Sequence, residues 1–226
     1  MSETTRRTMV SAVLTGAGAL ALAGCRTHEE KTEAMEVLPV EDLMREHGVL
    51  RRILIVYDTC ALKLDTGQDL SPDAITRSAE IVRRFIEDYH ERDEEQHVFP
   101  RFERAKKLQQ LVAVLREQHQ AGRRLTDEIA QTTKSTFTDD HARNRLVSTM
   151  RQFRHMYEAH AAREDTVLFP ALRSIVSARE YEAMGDRFED EEKKRFGERG
   201  FEDMVSKVAD IERDLGIYDL ATATPS

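Results

Sequence analysis

The feature that most constrains this chain is a motif stated twice. His90-Glu91-Arg92-Asp93-Glu94-Glu95-Gln96-His97-Val98-Phe99-Pro100 and His160-Ala161-Ala162-Arg163-Glu164-Asp165-Thr166-Val167-Leu168-Phe169-Pro170 share one frame, His-x-x-x-Glu-acid-x-x-apolar-Phe-Pro, and lie 70 residues apart. A His and a Glu four positions apart on a helix are offset by only about 40°, so both project from one face. Imidazole plus carboxylate suits iron, manganese or zinc. The repeat extends upstream: Arg45-Glu46-His47 precedes the first pair and Arg116-Glu117-Gln118-His119 the second, with the leading histidines 72 residues apart. Each half therefore reads as a helix with one His, a connection, and a helix with His-x-x-x-Glu. Four histidines and two glutamates on four helices fit a two-metal centre in the core of a four-helix bundle.

The hydrophobic spacing places those helices. The first runs from Pro39 to about Leu64, with Leu43, His47, Leu50, Leu54 and Tyr57 at intervals of three and four. Ser71-Pro72 opens the second, serine as cap and proline in the first turn, and Pro100 kinks or ends it nearby. The third spans roughly 108–131. The fourth starts after Asp139 or Asp140 and passes through His160 and Glu164 toward Ile175. The expected class is all-α: an up-down four-helix bundle over 39–176, two short helices within a C-terminal extension (177–218) at about 178–194 and 201–215, and a tail over 219–226.

The N-terminus reads differently. Arg6-Arg7 followed by a mildly apolar run to Ala23 resembles a twin-arginine export signal. The closing Leu22-Ala23-Gly24-Cys25 resembles a bacterial lipobox. These resemblances imply a signal peptide over 1–24, lipidation of Cys25, a tether over 25–38, and an extracytoplasmic, periplasmic-side protein held to the membrane by its lipid. With Cys25 lipidated, only Cys60 is left, which excludes an intrachain disulfide. The chain carries a formal charge of −8, which argues against a nucleic-acid partner.

A lone histidine on an apolar face is usually a core residue. Here charged Glu94 and Glu164 on core-facing stripes would be costly without partners, and metal coordination removes that cost. The metal candidates are His47, His90, Glu94, His119, His160 and Glu164. Glu91 and His155 are further candidates, although their counterparts in the other copy, Ala161 and Phe85, carry no donor. His97 and His141 read as structural or exposed.

The ligand pattern, with Phe-Pro closing each paired helix, resembles the hemerythrin-like (HHE cation-binding) domains over about 40–175. The resemblance implies a non-haem di-iron centre with those six residues as ligands and Glu94 and Glu164 as bridging carboxylates. The chain departs from the oxygen carriers, whose third helix supplies His-x-x-x-His: around His119 stand Leu115 and Arg123. A ferritin-like carboxylate bundle needs Glu-x-x-His on two helices. Glu87 and His90 satisfy it once, but Tyr157 breaks the second copy.

The leading functional expectation is a binding protein with two non-haem irons that takes dioxygen or another small diatomic such as nitric oxide, for binding, sensing or storage. Zinc and manganese rank below iron. The alternatives are a di-iron redox enzyme (peroxide reduction, ferroxidase or nitric oxide handling) and a zinc or metal-free scaffold. Enzymatic activity stays open, and no protein partner is indicated.

Overall fold

The computed structural model describes residues 37–134 and 139–225. The expected signal peptide, Cys25 and most of the tether lie outside the described residues. Six helices build the described part: α1 Pro39–Asp65, α2 over 72–105, α3 Gln109–Thr133, α4 over 140–172, α5 Ala178–Phe196 and α6 Gly200–Leu215, followed by a single 3₁₀ turn, Leu220–Ala223. Among the described residues there is no strand, and no helix is long and apolar enough to cross a membrane. The all-α four-helix bundle with two shorter C-terminal helices expected from the sequence is the fold observed.

Local chemistry sets the helix ends. Pro39 and Pro72 occupy first-turn positions, where a missing N–H costs nothing. The Ser71 hydroxyl accepts from the Asp73 amide, the Asp139 carboxylate from the His141 amide, and Ser177 with Glu180 forms a reciprocal capping box. α1 is followed by Gly67 at φ +67° and α6 by Gly216 at φ +74°, left-handed positions where glycine carries no steric penalty.

Neither Pro100 nor Pro170 ends its helix where it stands; α2 continues to Ala105 and α4 to Leu172. The turns before them are π-helical, Glu94–Val98 and Glu164–Leu168, and the Phe99 and Phe169 amides donate to the Glu94 and Glu164 carbonyls five residues back. A proline ring crowds the carbonyl four residues before it, and the wider turn relieves that crowding. In an α-helix, residues five apart point about 140° from each other. The π turn instead lets Glu94 and Phe99, and likewise Glu164 and Phe169, face the interior together. α2 contains a longer π stretch, Val82–His90, with no equivalent in α4.

α1 packs against α2 and α4, and α3 packs against α4 and α2, so the four helices close a ring. The apolar core forms two clusters. One contains Ile53, Tyr57, Ile75, Phe85, Ile129, Met150 and Phe153, and the other Leu43, Phe99, Phe102, Leu115, Leu168 and Phe169. On each of the four helices the candidate ligands fall between members of the two clusters. The polar layer is thus sealed on both sides by hydrocarbon. α5 and α6 pack over the α1–α2 side: Val208 and Ile211 join the first cluster, Tyr181, Met184 and Phe188 the second, and Arg52 of α1 pairs with Glu212 of α6 at 2.5 Å.

Candidate metal centre

The six residues singled out by the repeat converge in one layer. His47 comes from α1, His90 and Glu94 from α2, His119 from α3, and His160 and Glu164 from α4; none exceeds 3% exposure. Glu94, His119, His160 and Glu164 each offer a donor atom, all within 4.8 Å of one another, and His47, His90 and Glu94 form a second such group. Around the carboxylates, Glu164 Oε2 lies 2.9 Å from His160 Nε2 and 3.4 Å from His47 Nε2. Glu94 Oε2 lies 3.4 Å from His119 Nε2 and 3.7 Å from His90 Nε2. The rings pair as the halves do, His47 with His90 at 4.7 Å between centroids and His119 with His160 at 5.0 Å.

Each imidazole is held from behind through Nδ1. His47 Nδ1 meets Asp165 Oδ1 at 2.7 Å, His90 Nδ1 meets Glu46 Oε2 at 2.6 Å, His119 Nδ1 meets Glu95 Oε1 at 2.9 Å, and His160 Nδ1 meets Gln118 Oε1 at 3.0 Å. An Nδ1–H donated to these oxygens leaves every Nε2 lone pair aimed at the two glutamates, the orientation that metal-bound histidines adopt. All four acceptors are chain neighbours of a candidate ligand. A neighbour stands about 100° round its helix, so it reaches the histidine of the adjoining helix rather than its own. Phe99 stacks on His119 and Phe169 on His47, at 5.4 and 5.5 Å and within 25° of parallel, which fixes the planes of the two histidines that lie outside the His-x-x-x-Glu motifs.

The donor set fits a metal. Nε2 of His47, His90 and His119 and both oxygens of Glu94 and of Glu164 are buried and have no hydrogen-bond partner. Orphaned polar atoms of this kind cost free energy when buried. The electrostatics show the same demand for positive charge. Burial and the Glu164 charge push the Glu94 carboxyl well above its ordinary range. Burial opposes ionisation of Glu164 too, but His160 and His47 overcome it and hold Glu164 low. Burial disfavours the His47 cation, yet the hydrogen bond that its Nδ1 makes to the Asp165 carboxylate and the Glu164 charge beside its Nε2 raise it to about 9. Burial lowers His119 to about 4 and His90 well below the usual histidine range. Protons shared among these groups are what a bound cation would displace.

The two further candidates separate. His155 is exposed on α4 and shares no contact with the centre; five positions before His160 on a regular α-helix it points away. Its counterpart Phe85 is buried because α2 is π-helical there. Glu91 is buried, but one carboxylate oxygen accepts from the Tyr157 hydroxyl at 2.6 Å and the other lies 2.9 Å from Arg123. Glu91, Glu95 and His119 do place donors within 4.8 Å of one another, yet Arg123 also pairs with Glu95 at 2.9 Å and already supplies the cation there. His97 is half-buried and His141 exposed, and neither joins the centre.

Sequence reasoning did not identify the four Nδ1 acceptors, the two stacking phenylalanines or Tyr157. Part of that signal was present. Glu95 and Asp165 occupy one place in the repeated frame, and Phe99 and Phe169 another. Tyr157 carried none, because its hydroxyl enters the layer only where Gly122 on α3 leaves room.

Comparison with known proteins agrees with this geometry. The family model of the hemerythrin HHE cation-binding domain matches residues 38–172. An uncharacterized protein of Mycobacterium bovis and two of Mycobacterium tuberculosis are each 47% identical over 232 aligned positions, covering 98% of this chain and 91% of theirs. No solved structure matches the chain.

Proposed function

As a member of the hemerythrin HHE cation-binding family, the chain comes from a group of metal-binding domains, and we propose that it holds two non-haem iron ions and binds dioxygen or another small diatomic at them. The observation that supports this reading is the ring of four histidines, each tied through Nδ1 and turning Nε2 toward two carboxylates that lack hydrogen-bond partners. His47, His90, Glu94, His119, His160 and Glu164 would hold the ions. Iron held this way would supply reversible small-ligand and redox chemistry. The residues' own part is to orient the donors and to exclude bulk water with the two apolar clusters.

Full-length protein loaded anaerobically with ferrous iron should hold two irons per chain. Exposure to air should bring up ligand-to-iron charge-transfer bands that fade when oxygen is removed. Glu94→Gln together with Glu164→Gln should reduce iron content severalfold, and full iron content in that variant would sink the assignment. A second reading is a redox enzyme turning over peroxide, for which the Tyr157 hydroxyl, hydrogen-bonded to Glu91 and against the His160 ring, would be the proton donor to the substrate. Bands that form and do not reverse, with steady peroxide consumption, would select it. The twin-arginine and lipobox patterns support export and anchoring through Cys25. Cys25→Ser should then release the protein from the membrane fraction.

A further inference from the structure

The two halves of the centre match closely, and the place where they fail to match carries information. Asp165 backs His47 and Glu95 backs His119, each a carboxylate, at 2.7 and 2.9 Å. Each of these carboxylates also meets an arginine four residues beyond the histidine it supports: Arg51 with Asp165, and Arg123 with Glu95. Those two corners are equivalent in charge. The other two are not. Glu46 backs His90 at 2.6 Å, whereas the corresponding acceptor for His160 is Gln118, an amide, at 3.0 Å. One further acid, Glu91, lies on the His119 side, but Arg123 and the Tyr157 hydroxyl engage it. The His47–His90 pair is therefore supported by two carboxylates, and the His119–His160 pair by one carboxylate and one neutral amide.

A carboxyl group at Nδ1 can give up its proton when a cation binds the opposite ring nitrogen, and the carboxylate so formed makes that nitrogen a better donor and adds negative charge near the ion; an amide strengthens that nitrogen only weakly and adds no charge. Such partners change metal affinity by about 10–100-fold. We infer that the two metal positions are unequal: the ion at His47 and His90 is held tightly, and the ion at His119 and His160 is the weaker, exchangeable one, with Gln118 setting the difference. The inference rests on the dinuclear reading above and adds an order of filling to it.

Zinc, diamagnetic and similar in ligand preference, serves as the probe. Full-length chain labelled with ¹⁵N is titrated with zinc while the histidine ring nitrogens are followed by NMR, and the affinities are measured in competition with a chelator. At one equivalent the Nε2 signals of His47 and His90 should shift, and those of His119 and His160 should follow at the second. Gln118→Glu should tighten the second step by about tenfold or more and narrow the gap, while Glu46→Gln should weaken the first step by a similar factor. Two zinc ions taken up in the reverse order or without preference, or a gap that Gln118→Glu leaves unchanged, would overturn the inference and leave the dinuclear centre standing. Uptake of fewer than two zinc ions would refute both.

Discussion

A β-carbon at Gly122 would lie 1.9 Å from the Tyr157 hydroxyl and 2.6 Å from its ring. The glycine is thus the space in which the Tyr157–Glu91 hydrogen bond sits. Gly122→Ala should destabilise the fold by about 1–3 kcal/mol through overpacking, and adding Tyr157→Phe should restore part of the loss. Urea unfolding of the single and double variants checks this. Burial raises the carboxyls of Asp42 and Asp93 to about 7. Between pH 4 and 7 the folded chain therefore keeps protons that the unfolded chain has released, so these two groups make stability fall as pH rises through that window. In the metal-free protein Asp42→Asn should flatten the fall in urea midpoint between pH 4.5 and 7; an unchanged slope would show that Asp42 plays no part.

At the scale of the helix, the notable device is the π turn before each Phe-Pro. It brings a candidate ligand and the phenylalanine five residues later onto one face, so the same helix supplies a donor and a stacking wall for the neighbouring helix's histidine. This explains why the repeated frame extends past the glutamate to Phe-Pro. Helix starts follow simpler local rules. At α5 the Ser177 hydroxyl and the Glu180 carboxylate each accept from the other's amide. Ser177→Ala should lower stability by about 1 kcal/mol while leaving metal content intact, as thermal unfolding and metal analysis would show.

For the molecule as a whole, α5 and α6 belong to the bundle's own core. Ile211 of α6 is fully buried in the cluster that contains Tyr57 and Phe85. Ile211→Ala should cost about 2–5 kcal/mol, and loss of the bundle and of α6 should coincide in one unfolding transition. Two separate transitions would show the extension to be an independent unit. The α1–α2 side also holds Asp42, Glu46, Asp93 and Glu192, all shifted upward mainly by burial. Closing that side with α5 and α6 is what desolvates them.

Much of this arrangement was legible in the chain itself. Helix number and order, the Ser71 cap, and the convergence of His47, His90, Glu94, His119, His160 and Glu164 follow from short-range periodicity and from a pattern stated twice, because helical geometry converts spacing directly into direction. Tertiary structure alone decided which oxygen backs each histidine, that Glu91 turns to Tyr157 and Arg123, that His155 faces solvent while Phe85 does not, and that an acid, Glu46, and an amide, Gln118, hold equivalent posts. Those facts depend on which side chains of neighbouring helices meet and on where a helix widens by one residue. Both are fixed by packing between distant segments, which spacing along a single helix does not encode.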